Sequence, residues 1–132
     1  MLLKYLNNFH ERLKFTFEKE GEKLEKNSTN FLDILIKRNY DGTVSLDLYK
    51  KPTFSERYVN FLSNHSIAIK KGIVKNLIQK IFNLSDPQFH HKNIINLKKD
   101  LLLNNYPESF INSQIKNAFF RKNNSTFKII EK

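Results

Sequence analysis

The sequence predicts an α+β fold: a short N-terminal helix, a small three-stranded antiparallel sheet, then a bundle of about four helices. Two observations carry this. Across residues 13–51 the apolar side chains recur with a period of two, and beyond Pro52 the period switches to 3.6. Between two of the alternating runs stands Asp41-Gly42, a strong hairpin signal, because glycine accepts the positive φ that a tight turn requires.

Taken in order, Leu2, Leu3, Leu6, Phe9 and Leu13 recur at three- and four-residue spacing and predict a helix over about 2–13. "RLKFTFEKE" sets Leu13, Phe15 and Phe17 against Lys14, Thr16 and Glu18, which predicts a strand over about 13–20. "NFLDILIKR" is more uniformly apolar and predicts a central strand over 30–38. "TVSLDLYKK" alternates again over 43–50, with Val44, Leu46 and Leu48 expected inward and Ser45, Asp47 and Tyr49 outward. Thr53 and Glu56 read as a capping box opening a helix over 54–63. From Ile67 a helix is expected to bury Ile69, Ile73, Val74, Leu77, Ile78 and Ile81 and to display Lys70, Lys71, Lys75 and Lys80. Pro87 suits the first turn of the next helix, whose apolar stripe is Ile94, Ile95, Leu97, Leu101 and Leu102. "NNYPES" breaks that pattern, and Pro107 opens a last helix carrying Phe110, Ile111, Ile115, Ala118 and Phe119. Residues 122–132 read as a flexible tail in which "TFKII" offers a further strand.

At 132 residues the chain forms one domain or a piece of a larger one. No apolar run reaches the length of a membrane span, and the N-terminus lacks the pattern of a signal peptide. The absence of Cys excludes disulfides and thiolate chemistry and suits an intracellular setting, nucleus or cytoplasm. A net charge of +10 points to a polyanionic partner. Base composition competes with that explanation, because 19 of the 23 basic residues are Lys and 17 residues are Asn, as an AT-rich coding sequence would give. Distribution argues for the partner: residues 50–80 hold seven Lys or Arg against one acid, +6 of the total +10.

The ordered stretches "FHERLKFTFEKE", "FLDILIKRNYDGTVSLDLYKKPTFSERYVNFLSNHS", "KKGIVKNLIQKI" and "LLLNNYPESFI" resemble the end of the reverse transcriptase of Penelope-like retroelements. The resemblance spans about residues 5–116. It implies that residues 1–51 are the end of a polymerase palm with its primer-grip hairpin, and that 52–121 form a helical, helix-turn-helix-like thumb tracking a template–primer duplex. Such enzymes hold two metal ions on palm aspartates, yet this sequence contains no Asp-Asp dipeptide. The resemblance therefore implies RNA-directed DNA polymerase parentage for an inactive, truncated transposable-element fragment. Mg would belong only to the missing catalytic palm, itself a possible partner, and this chain is expected to carry no cofactor.

The expected nucleic-acid contacts are Lys50, Lys51, Arg57, His65, Lys70, Lys71 and Lys75, with Tyr49 and Tyr58 as stacking aromatics. A plainer reading makes the lysines a solvated helix face and packs Phe54, Tyr58 and Phe61 in the core. No catalytic residue is identified. Asp33 and Asp47 are expected on adjacent strands, either as ligands near a primer grip or as acids paired with Lys or Arg. His90 and His91 diverge on a helix, so no metal site is expected. The alternative from another class is a stand-alone helix-turn-helix DNA-binding module, with "NNYPES" as the turn and Asn112, Gln114 and Asn117 offering adenine-reading side chains. A non-functional retroelement remnant is the third.

Overall fold

The computed structural model describes residues 2–21 and 27–130, with side chains through Lys122. A short helix α1 (Leu2–Asn7) comes first, followed by strands β1 (Ser28–Phe31), β2 (Ile34–Arg38) and β3 (Val44–Leu48). Three long helices then form the bundle: α2 (Ile67–Leu84), α3 (Pro87–Leu103) and α4 (Glu108–Ile130). The fold is the α+β arrangement that the change of period predicts, a three-stranded antiparallel sheet in the order β1-β2-β3 ahead of a helical bundle.

The strands are placed differently from the sequence reading. The alternating segment 13–20 forms no strand, and its apolar side chains Leu13, Phe15 and Phe17 are exposed. Alternation alone does not make a strand; a neighbour must supply the ladder. The run read as one strand over 30–38 instead folds back on itself, pairing Phe31 with Ile34 and Ser28 with Lys37. The turn is Leu32-Asp33, and Leu32 takes a φ of 53°, a left-handed conformation that its branched side chain does nothing to announce. The hairpin at Asp41-Gly42 does form: Asn39 N–H donates to Thr43 O (2.8 Å), and Gly42 has φ 84°. Asp41 Oδ1 accepts both the N–H and the hydroxyl of Thr43, and these bonds lower its carboxyl below the usual range.

β3 also turns the opposite face inward. Ser45 and Asp47 are buried, whereas Val44 is exposed. The reason lies in α3. Asn93 Nδ2 donates to Asp47 Oδ1 (2.9 Å), Lys92 pairs with Oδ2, and Gln88 reaches Ser45 Oγ (3.4 Å). The sheet therefore meets the bundle through satisfied polar groups, which a rule of apolar residues inside does not anticipate. Burial alone would raise the Asp47 carboxyl, but Lys92, Asn93 and the Leu48 N–H outweigh it and hold the group below its ordinary value. One further tie is strand-like: Asp86 N–H donates to Leu46 O (2.8 Å) while its Oδ2 accepts from Leu46 N–H (2.9 Å).

The helix expected over 54–63 is absent. Glu56 has φ 57°, so the proposed capping box cannot close. The segment runs instead as a strap across the turn between α3 and α4. Asn104 Oδ1 accepts from Tyr58 N–H (2.9 Å), Asn104 Nδ2 donates to Glu56 O (2.8 Å), and Asn104 O accepts from Phe61 N–H (3.0 Å). Phe61 then packs against Tyr106 and Phe110, each at 5.3 Å between ring centroids.

The core gathers Val74, Ile78 and Ile81 of α2, Leu97 and Leu101 of α3, then Tyr106 and Ile111. Lys70 occupies the same stripe one turn before Val74 and is buried, while Ile69, expected inside, is exposed. At its last residues α3 closes in a Schellman pattern: Tyr106 N–H donates to Leu101 O (3.1 Å) and Asn105 N–H to Leu102 O (3.0 Å), with Asn105 at φ 63°. The backbone of α4 continues through Ile130, so the region read as a tail or added strand carries on the last helix, and Glu131 and Lys132 lie outside the described residues.

Candidate nucleic-acid interface

Positive charge gathers where two polar stripes meet. On α2, Lys71, Lys75, Gln79 and Asn83 recur every fourth residue, one turn apart on one face. On α4, Gln114, Asn117 and Arg121 recur at spacings of three and four. Where the two helices pack, these stripes line the walls of one groove of about 710 Å³, joined by Gly72, Phe82, Ala118 and Lys122. Among the described residues, four cations and four amides line it, and no carboxylate does.

The acids of this region are occupied elsewhere. Between residues 57 and 116 there are nine Lys or Arg and three acids, a balance of +6. Asp86 bonds to Leu46, Asp100 pairs with Lys50 (2.8 Å), and Glu108 pairs with Lys98 (2.6 Å). The Lys98 ammonium lowers the Glu108 carboxyl. Among the described residues, none forms an ion pair with Lys71, Lys75 or Arg121.

The expected site divides. Lys71 and Lys75 line the groove and are exposed. Lys70 does not: its Nζ donates to Ser63 O (2.7 Å), beside the Phe61 ring at 5.2 Å, while its stem is buried. Lys50 is likewise committed, bridging Glu56 and Asp100 at 2.8 Å each. Burial lowers its pKa, but Asp100 and Glu56 prevail and raise it. Neither lysine is placed to receive a phosphate. Lys51, Arg57 and His65 are exposed but lie outside the groove lining. His65 Nδ1 meets Ser63 Oγ (3.0 Å), and Ser66, not His65, caps α2 through Ile69 N–H.

Both aromatics expected to stack, Tyr49 and Tyr58, are half-buried. Tyr58 packs against the core and against Phe54, with ring centroids 5.9 Å apart, and burial raises its hydroxyl pKa. Tyr49 is half-buried, and its N–H donates to Asp33 O (2.8 Å). Asp33 itself is exposed and pairs with Lys80 (2.8 Å). Both candidate aspartates are thus paired acids. His90 is buried with Nε2 on Ser85 O (2.9 Å), and His91 is exposed. Among the described residues no three His, Cys, Asp or Glu side chains converge to hold a metal.

Of the three amides weighed as base readers, Gln114 and Asn117 line the groove, while Asn112 lies outside it and bonds to Glu108. Sequence reasoning missed Gln79, Asn83 and Arg121. The i+4 repeat Lys-Lys-Gln-Asn carried that signal, and neutral amides simply do not register in a search for charge.

The order α3, a four-residue connection 104–107, then α4 is the layout of a helix-turn-helix. Residues 57–116 match the animal helix-turn-helix domain. The helix-turn-helix match covers the strap, α2, α3 and the first part of α4, 60 of the 132 residues. No curated protein and no solved structure matches the chain. Among the described residues, no helix is long and apolar enough to cross a membrane.

Proposed function

We propose that the chain is a nucleic-acid-binding module of helix-turn-helix type, gripping its ligand along the α2–α4 face. The observation that carries this is the groove whose described lining holds four cations and no carboxylate. Lys71, Lys75 and Arg121 meet phosphates, and Gln114 and Asn117 meet base edges or sugar hydroxyls. The similarity of residues 57–116 to animal helix-turn-helix domains supports a DNA ligand. Catalysis has no part in this reading.

Salt dependence tests it. Each phosphate neutralised contributes roughly 0.9 to the slope of log affinity against log salt. Replacing Lys71 and Lys75 together by Ala should lower the slope for duplex DNA by about 2 and weaken binding at every sequence. An unchanged slope would exclude this face.

The ordered motifs support a second reading of origin: the module is the thumb of a Penelope-like reverse transcriptase, and its missing partner is the catalytic palm. Translating the genomic DNA upstream of Met1 decides this. An in-frame palm ending in a paired-aspartate hairpin is the expected result, and unrelated sequence there would exclude the parentage.

A further inference from the structure

We propose that the α2–α4 groove admits an unpaired nucleobase, so that single-stranded nucleic acid, not blunt duplex, is its preferred ligand. This rests on the nucleic-acid-binding reading above and specifies the ligand of the same site.

Gly72 supplies the first argument. It lies inside α2, where glycine costs roughly 0.5–1 kcal/mol relative to alanine. No close packing requires it, because a Cβ at this position would meet nothing within 4 Å. Gly72 lines the groove, and what its missing side chain provides is open space.

The second argument is size and lining. The volume of about 710 Å³ falls in the range of pockets that enclose a small molecule and is larger than phosphate contacts need. Behind the cations stand the Phe82 ring and Ala118, with amides of both helices on either side. Cations at the rim, an aromatic ring and hydrogen-bonding amides are what a nucleotide requires of its site.

Shape supplies the third. A duplex offers a convex rail of phosphates and keeps its bases stacked inward, so it can touch the rim lysines without entering. An unpaired base has no such restriction. The Lys122 ammonium now lies 4.5 Å from the centroid of the Phe82 ring, over the surface on which a base would stack. An entering nucleotide brings the phosphate onto which that ammonium can move as the ring is uncovered.

The experiment titrates the full chain with a blunt duplex, the matching single strand, and that strand carrying a fluorescent adenine analogue. The single strand is expected to bind about tenfold tighter than the duplex, the size of one stacked base, with the analogue's emission quenched. Gly72→Leu fills the groove and should remove that preference while leaving duplex affinity within about twofold. Circular dichroism verifies that this variant folds; the double substitution Gln114→Ala with Asn117→Ala, on the partner wall, should weaken binding of both probes but of the single strand more, so that the preference shrinks. Equal affinity of the wild-type chain for strand and duplex, or a preference that survives both variants, overturns base insertion and leaves nucleic-acid binding standing. Failure to bind either probe overturns both.

Discussion

Replacing Asp47 by Ala tests whether the sheet and the bundle are joined through a buried polar contact. The carboxylate is 2% exposed and accepts from Asn93 Nδ2 (2.9 Å) and Leu48 N–H (2.8 Å), with Lys92 as its ion-pair partner. Bonds from neutral donors to a charged acceptor are worth about 1.5–3 kcal/mol each, and the buried Asn93 amide would keep only its longer bond to Ser85 Oγ (3.3 Å). Lys92 is half-exposed, so its share is at most about 1 kcal/mol. Relief of the buried charge offsets part of the loss, giving a net destabilisation of about 3–4 kcal/mol. In urea unfolding followed by circular dichroism at neutral pH, the midpoint should fall by about 2 M. Asp47→Asn, which keeps the shape and one acceptor, should lose less. Because folding depresses the Asp47 pKa, its contribution is complete above the unfolded value near 3.9 and fades as pH falls through the lower folded value. The gap between wild type and Asp47→Asn should therefore hold from neutral pH to about 4 and close only below it. A loss under about 1 kcal/mol for Asp47→Ala, or a gap closing near pH 6, would refute the buried contact.

Substitutions at three further positions probe the turn and its strap. Asn104→Ala removes the side-chain bonds to Tyr58 N–H, Glu56 O and Asp100 O and should cost about 2–3 kcal/mol by denaturant unfolding. Asn105 holds φ 63°, so Asn105→Gly should be neutral or stabilising, whereas Asn105→Val should lower the melting temperature through about 1–2 kcal/mol of strain. The Tyr106 hydroxyl is buried without a partner among the described residues, and burial raises its pKa; Tyr106→Phe should raise stability by about 1 kcal/mol, and a loss of that size would show that the hydroxyl is bonded.

The helices were legible because their apolar stripes are long. Val74, Ile78 and Ile81 repeat over enough turns to fix both the helix and its buried face. Ile69 and Lys70 were misread because position decides burial there: Lys70 shares the stripe of Val74, and a flexible stem lets it stay inside while its ammonium finds Ser63 O. The sheet was legible in kind and number, less so in place. Leu32-Asp33 turns the chain within an apolar run, and the residue that takes the left-handed conformation there is Leu32, which is no turn former. The inverted face of β3 and the non-helical strap share one cause. Asp47 is drawn inward by Asn93, and Tyr58 is held extended by Asn104, partners 46 residues away in each case. Local pattern carries no trace of them. At the candidate site, Lys71 and Lys75 were evident as charge, and their convergence with Gln114, Asn117 and Arg121 was not, since it exists only once α2 packs on α4.

Asn104 gives the connection between α3 and α4 an unusual status. Most loops tolerate an added residue because their ends are free to adjust. Here three hydrogen bonds from a different part of the chain grip one residue of the connection, and the next two complete the Schellman closure. The spacing between Leu101 and Pro107 is thus set twice, from within the helix and from outside it. Variation in this protein should accordingly run through substitution on the helix faces, where Gln114, Asn117 and Arg121 can change identity, and avoid insertion or deletion at residues 104–107. The groove-lining surface is free to diverge because the angle that presents it is not.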